Sequence, residues 1–171
     1  MSESAVSGIL IVNKHAGVTS NDIVQRLRRL YETRQVGHTG TLDPMATGVL
    51  PVLIGRAVKA SDFIMAEDKR YTARLRLGIT TDTEDTSGTV LTRTDELPSE
   101  EAVLAACARF TGEVLQTPPM YSALKVGGRK LVDLAREGVV IERQARPIVI
   151  HSLSASPLSR GEYRLDVHCS K

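Results

Sequence analysis

The stretch Tyr71-Thr72-Ala73-Arg74-Leu75-Arg76-Leu77-Gly78 alternates apolar and polar side chains without a break. Tyr71, Ala73, Leu75 and Leu77 fall on one side, and Thr72, Arg74 and Arg76 on the other. That is the period of a half-buried β-strand. Glu162 to Cys169 repeats it, with Tyr163, Leu165, Val167 and Cys169 on one face. Elsewhere the period changes. Ile23, Val24, Leu27, Leu30 and Tyr31 share a face at helical spacing, opposite Arg26, Arg28 and Arg29, with Ser20 as the expected N-cap. Further strands are expected over Gly8–Asn13 (a buried one), Val49–Ile54, Thr89–Thr92 and Glu113–Gln116, the last ended by Pro118-Pro119. A strand over Tyr121–Val126 should enter a turn at Gly127-Gly128. Val139–Val149 reads as an extended segment broken near Pro147. Helices are expected over Ala57–Met65, from a Ser99 cap to Phe110, and over Lys130–Glu137. Residues 35–48 have neither period and read as a loop. Strands and helices mix without regular βαβ alternation. The expected class is therefore α+β, with a central mixed, largely antiparallel sheet flanked by helices.

Composition agrees with a folded domain. Of 171 residues, 42% are apolar and 25% charged, which excludes a disordered chain. Two cysteines exclude a disulfide scaffold and a Cys-rich zinc module. No apolar run reaches the ~18 residues of a membrane span. Met1 to Gly8 lacks the basic start and apolar stretch of a signal peptide. A cytoplasmic domain with reduced thiols is expected. The net charge is only +2, but it is unevenly spread. Asp82 to Glu101 holds seven acids and one base, so the remainder carries +8. This asymmetry suits a basic face for a polyanion, and equally an ordinary solvated surface.

Three segments could carry chemistry. In Gly37-His38-Thr39-Gly40-Thr41-Leu42-Asp43-Pro44-Met45-Ala46-Thr47-Gly48, glycines permit tight bends and Pro44 stiffens the chain after Asp43. A carboxylate held there can face a cleft or merely cap a turn, and spacing does not choose. In Lys69-Arg70-Tyr71, the ring is either a core aromatic or a platform for a base beside two phosphate-binding cations. From Ser122 to Ile148 there are six bases and three acids. Lys125, Arg129, Lys130, Arg136, Arg143 and Arg146 could line a groove for RNA phosphates or form a plain basic surface. Phosphate-loop, dinucleotide-loop and serine-nucleophile patterns are absent. His15, His38, His151 and His168 are scattered, so no metal site is expected.

Taken together, these segments resemble the bacterial TruB-type tRNA pseudouridine-55 synthases. The resemblance rests on Gly37-His38-Thr39-Gly40-Thr41-Leu42-Asp43-Pro44, on Lys69-Arg70-Tyr71, on Leu77-Gly78 leading to Thr81-Asp82-Thr83-Glu84-Asp85, and on the block from Pro118 to Lys130. It runs from Gly8 to Lys171, with these motifs in the family's order. It implies the pseudouridine synthase fold. It also implies isomerisation of a T-loop uridine in tRNA, with base flipping and without metal or organic cofactor. Asp43 would be the nucleophile, and Tyr71 the ring stacked on the uracil and a proton acceptor. His38 would occupy the stack vacated by the flipped base. Asp85 would belong to the active-site ion-pair network, with Lys14 in support. Lys69, Arg70, Lys125, Arg129, Lys130, Arg136 and Arg146 would bind RNA, the last five on a thumb-like insertion over residues 118–146.

The T-arm stem-loop of tRNA is the implied partner, with no membrane and no obligate protein partner. Asn13-Lys14-His15 departs from the family's Asp-Lys-Pro but keeps the lysine. His168-Cys169-Ser170-Lys171 matches the segment that the family follows with Gly-Thr-Tyr-Ile-Arg, whose arginine pairs with the catalytic aspartate. Residues 8–171 are therefore expected to be an incomplete catalytic domain without its C-terminal RNA-binding (PUA) domain. The alternatives are a tRNA-gripping module that does not catalyse, and a guide-dependent rRNA synthase. The thumb-like block argues against the second.

Overall fold

In the computed structural model, strand β1 (Gly8–Lys14) pairs antiparallel with β3 (Gly48–Ile54), and β2 (Val36–His38) lies on the other side of β3. Residues 6–122 and 124–170 are described; Met1–Ala5, Ala123 and Lys171 lie outside them. The chain divides into two compact units, one up to Glu67 and one from Asp68.

In the first unit, helix α1 (Ser20–Leu30) covers one face of the three-stranded sheet. The core joins Val24 and Leu27 to Val36, Leu50, Val52 and Ile54, with Leu10, Val12 and Ile23 packed around them. β1 is half-buried rather than buried as expected. Leu10, Val12 and Lys14 face the core, while Ile9 and Ile11 are exposed. The reason is its edge position, where period-2 alternation sends every second side chain away from the helix. Leu30 also departs from the expected apolar face, at 71% exposure. The stripe that reaches the sheet is Ser20, Val24, Leu27 and Tyr31, spaced one or two turns apart, and Leu30 lies off it. The N-cap is Thr19, not Ser20. Thr19 Oγ1 accepts from the Asp22 amide, and Asp22 Oδ2 accepts from the Thr19 amide, a reciprocal capping box. The expected helix over Ala57–Met65 is a 3-10 segment, Gly55–Ala60, followed by a short α2 (Ser61–Met65).

In the second unit, four strands form an antiparallel sheet in the order β4 (Lys69–Arg76), β11 (Glu162–Cys169), β10 (Arg146–Ser159), β7 (Gly112–Gln116). A small ribbon pairs β5 (Ile79–Thr81) with β6 (Val90–Arg93). Helix α3 (Glu100–Arg109), capped by Ser99 as expected, lies against β10. β10 runs through Pro147, where a break was expected, and through Pro157. Pro147 lies in the part of β10 laddered only to β7, and Pro157 in the part laddered only to β11. Each therefore sits where one edge of the strand makes no ladder, the setting that tolerates a missing N–H.

Register pairs Arg146 with Gln116, so residues 117–145 form an excursion between two neighbouring strands. The strand expected over Tyr121–Val126 is reduced to β8 (Lys125–Val126), paired with β9 (Arg129–Lys130); its Ala123 lies outside the described residues. Pro118-Pro119 and the Met120–Ser122 turn account for the shortening. Gly127 and Gly128 both take positive φ, as a two-residue hairpin turn requires. Helix α4 (Leu131–Arg136) follows, burying Leu131 and Leu134. The α+β class and the largely antiparallel pairing are borne out. No described helix is long and apolar enough to cross a membrane.

Candidate functional site

The loop carrying Asp43 is fastened on both sides of that residue. On one side, the buried Ser20 hydroxyl donates to the Leu42 carbonyl at 3.1 Å and accepts from the Leu42 amide at 2.9 Å. On the other, the Gly17 amide donates to the Pro44 carbonyl at 2.8 Å. Gly17 reaches it with a φ of 88°, a conformation open to glycine. Lys14 is fully buried. Its ammonium donates to the carbonyls of Val18 at 2.8 Å, His15 at 3.1 Å and Pro44 at 3.5 Å. A buried cation needs such compensation, and here part of it comes from the residue following Asp43. Asp43 itself is exposed. The result is an exposed Asp43 on a backbone held at Leu42 and Pro44, with its own carbonyl accepting from the Ala46 amide at 3.0 Å. His38 lies on β2, half-buried, and its Nδ1 is buried with no hydrogen-bond partner among the described residues. Thr39 beside it is buried and donates its amide to Pro51 at 3.1 Å.

In the second unit Tyr71 sits on β4, opposite Val167, and is 49% exposed. It is therefore not a core aromatic. A shallow depression of about 260 Å³ lies against it, with Arg70, Asp166 and His168 at its edge. Thr72 Oγ1 and Arg164 Nη2 both donate to Asp166 Oδ1, at 2.6 Å and 3.0 Å, and these bonds hold the Asp166 carboxyl below the usual carboxylate range. Asp85 lies in the loop between β5 and β6. Its Oδ1 accepts from the Ser87 hydroxyl at 2.6 Å, the Thr83 hydroxyl at 2.6 Å and the Ser87 amide at 2.8 Å. The Ser87 hydroxyl first, then that of Thr83, keeps its carboxyl below the ordinary value. Among the described residues these recorded partners are hydroxyls and an amide, where an ion pair was expected.

Four of the expected RNA-binding residues come together. Lys125, Arg129, Lys130 and Arg136 surround an open depression of about 670 Å³ on the excursion, together with Asp133 and Glu137. Arg129 pairs with Glu137, which raises its pKa. Arg146 stays exposed at the base of the excursion, its Nη2 3.5 Å from Gln116 Oε1. Arg143 instead turns inward and donates to the Pro118 carbonyl at 3.1 Å. It closes the excursion and does not serve as a surface cation. Lys69 and Arg70 are adjacent on β4 and belong to the other end of the sheet.

The profile of the TruB family pseudouridylate synthases, N-terminal domain, matches residues 28–171. The chain belongs to this family. It is 48% identical over 166 residues to the tRNA pseudouridine synthase B of Tolumonas auensis, covering 97% of this chain and 51% of that one. It is 46% identical over 173 residues to the tRNA pseudouridine synthase B of Methylococcus capsulatus, covering all of this chain and 77% of that one. It thus spans about half the length of the first relative. Among solved structures, a Cbf5-Nop10-Gar1 complex matches with a TM-score of 0.69 at 23% identity, over 95% of this chain and 39% of that one. An archaeal box H/ACA sRNP Nop10-Cbf5 complex matches at 0.64 and 20% identity, over 98% and 39%. At such identities the likeness is one of fold.

Sequence reading missed the pair of hydrogen bonds from Ser20 to Leu42 in this TruB-family chain. The signal was present, because Thr19…Asp22 has capping-box spacing and frees Ser20 from the cap. It also missed the bond from Thr72 to Asp166, which depends on cross-strand register.

Two outcomes follow. Ser20→Ala orphans both Leu42 backbone groups, lowers stability by about 1–3 kcal/mol, and speeds amide exchange at Leu42, as read by urea denaturation and hydrogen exchange. The Asp85 carboxyl is lowered in the folded state, so its contribution is present above the ordinary value of about 3.9 and is lost as pH falls through the folded value. NMR titration should give Asp85 a midpoint below ordinary aspartate, and Asp85→Asn should remove that share of the acid loss of stability.

Proposed function

We propose that this chain carries the catalytic residues of a tRNA pseudouridine synthase, converting a uridine in the T loop of tRNA to pseudouridine in the cytoplasm. The single observation that carries the reading is the exposed Asp43 carboxylate on a loop fastened at Leu42 and Pro44. Family membership and the tRNA pseudouridine synthase B name of its relatives support it.

The reaction breaks the bond from C1′ to N1, turns the uracil, forms a bond from C1′ to C5, loses the C5 proton to solvent and gains a proton at N1. Substrate and product are therefore isomers. A fixed carboxylate assists by adding to the sugar at C1′ or to the base, giving the detached uracil time to turn. Pre-fixing the loop matters because a nucleophile a fraction of an ångström out of place forfeits much of the rate. Tyr71 offers an exposed ring for stacking, and its hydroxyl would take the C5 proton. The target base must leave its stack before its glycosidic bond can be reached, and His38 fills the space it leaves. We read the excursion over residues 118–146 as a thumb that grips the RNA backbone with Lys125, Lys130, Arg136 and Arg146. Lys69 and Arg70 bind phosphate beside Tyr71.

Tritium release from 5-tritiated T-arm RNA tests the reading. The chain should turn over, Asp43→Asn should abolish release while RNA binding persists, and Tyr71→Phe should bind but lose most turnover. Binding without release by the unsubstituted chain would leave only an RNA-gripping module. Replacing Lys125, Arg129 and Lys130 with Ala should flatten the slope of log affinity against log salt by about 1.5 to 2. Arg129 contributes the least of the three because Glu137 already neutralises it. An unchanged slope would remove the excursion from the RNA footprint.

A further inference from the structure

We propose that Asp68, His151 and His168 form a binding site for one divalent transition-metal ion, of which zinc is the best match. The three residues come from neighbouring strands of the second unit. Asp68 immediately precedes β4, His168 lies on β11, and His151 on β10. Their ligand atoms all lie within 4.8 Å of one another. Asp68 Oδ2 stands 2.9 Å from His151 Nε2 and 3.7 Å from His168 Nε2. Tetrahedral zinc with bonds near ~2.05 Å spaces its ligand atoms roughly 3.3 Å apart, and the two recorded distances bracket that spacing. Two imidazoles and one carboxylate are also a zinc-type donor set, and three protein ligands leave a position for water.

Strand pairing sets the arrangement. Register pairs His168 with Ser152 and Cys169 with Ile150, leaving His151 as the extra residue of a β-bulge. Continued unbroken from Ile150 and Cys169, the register would set His151 directly opposite His168. The bulge gives that place to Ser152 and leaves His151 beside it, still on the face of His168. The two rings then meet with centroids 4.7 Å apart, tilted by 46°. Asp68 shares that face as well, because it stands two residues before Arg70, the register partner of His168. All three side chains are partly exposed, at 27% to 47%, so an ion has access and the rings have room to close from the recorded spacing, up to 4.8 Å, to that of a tetrahedral site.

Without an ion, one carboxylate oxygen faces two imidazole nitrogens. An ion satisfies all three at once. Bound there, it would clamp the start of β4 to β11 and β10, directly before Lys69-Arg70-Tyr71. Arg70, in register opposite His168, opposes a dication and limits the affinity. The clamp is structural. It takes no part in the proposed reaction, and its test does not depend on that reading.

The untagged 171-residue chain, stripped with chelator, is titrated with Zn²⁺ by calorimetry and with Co²⁺ by visible absorption. One equivalent should bind, Co²⁺ should give the intense bands of a four-coordinate site, and Tm should rise. Asp68→Asn, His151→Ala and His168→Ala should each weaken binding at least ~10-fold, since even an outer partner of a ligand is worth that much. Cys169→Ser, on the opposite face of β11, should leave it unchanged. In the unsubstituted chain, Zn²⁺ should shift the ring resonances of His151 and His168 together and spare His15 and His38. This keeps the test sharp even if a variant folds poorly. No binding, binding indifferent to the three substitutions, binding lost in Cys169→Ser, or shifts confined to His15 or His38 would each overturn the site.

Discussion

A buried ammonium organises the first unit. Lys14 ends β1 with its side chain turned into the core, where an unpaired cation is strongly disfavoured. Its stability there depends on carbonyls from the chain that immediately follows, His15 and Val18, and on one from a distant loop, Pro44. Those carbonyls can converge only if the turn after β1 and the Asp43 loop adopt one mutual arrangement. The Gly17 amide on Pro44 and the Ser20 hydroxyl on Leu42 complete the same fastening. Asp43 lies between the two anchored residues. Its backbone is restrained by bonds to its neighbours while its carboxylate remains in solvent.

The second unit uses a different device. Its four-stranded sheet is sparsely covered, and Val103 and Tyr163 are among its few buried apolar side chains outside the excursion. Position there comes from register. Pairing Arg146 with Gln116 closes the base of the excursion, and Arg143 on Pro118 closes it again from inside. Leu131 and Leu134 provide a small core of its own. The cations left on its surface are worth little to stability. Four of them gather around one open depression, where Arg129 pairs with Glu137.

Much of this was legible from residue order. The alternation in Tyr71–Gly78 and Glu162–Cys169 corresponds to β4 and β11, which pair with one another. The Gly127-Gly128 turn and the Ser99 cap stand where turn and cap chemistry put them. The errors share a cause. Gly8–Asn13 as a buried strand, Leu30 as a core residue and Pro147 as a break all depend on which edge or face a neighbour covers. Ser20 was assigned a local role when its partner lies beyond the helix, at Leu42.

Local chemistry therefore determined the α+β class, the antiparallel strands and the family, and singled out Asp43, Tyr71 and the basic excursion as candidates, because periodicity and motif spacing are properties of adjacent residues. Contacts across the fold decided how those residues are held. The Lys14 ammonium selects Pro44 from a loop remote in sequence, since a buried charge must find oxygen wherever the chain can bring it. Strand pairing brings His151, His168 and Asp68 together, since β10, β11 and the start of β4 lie side by side in the sheet. Neither follows from spacing, because each depends on where separate strands lie in register.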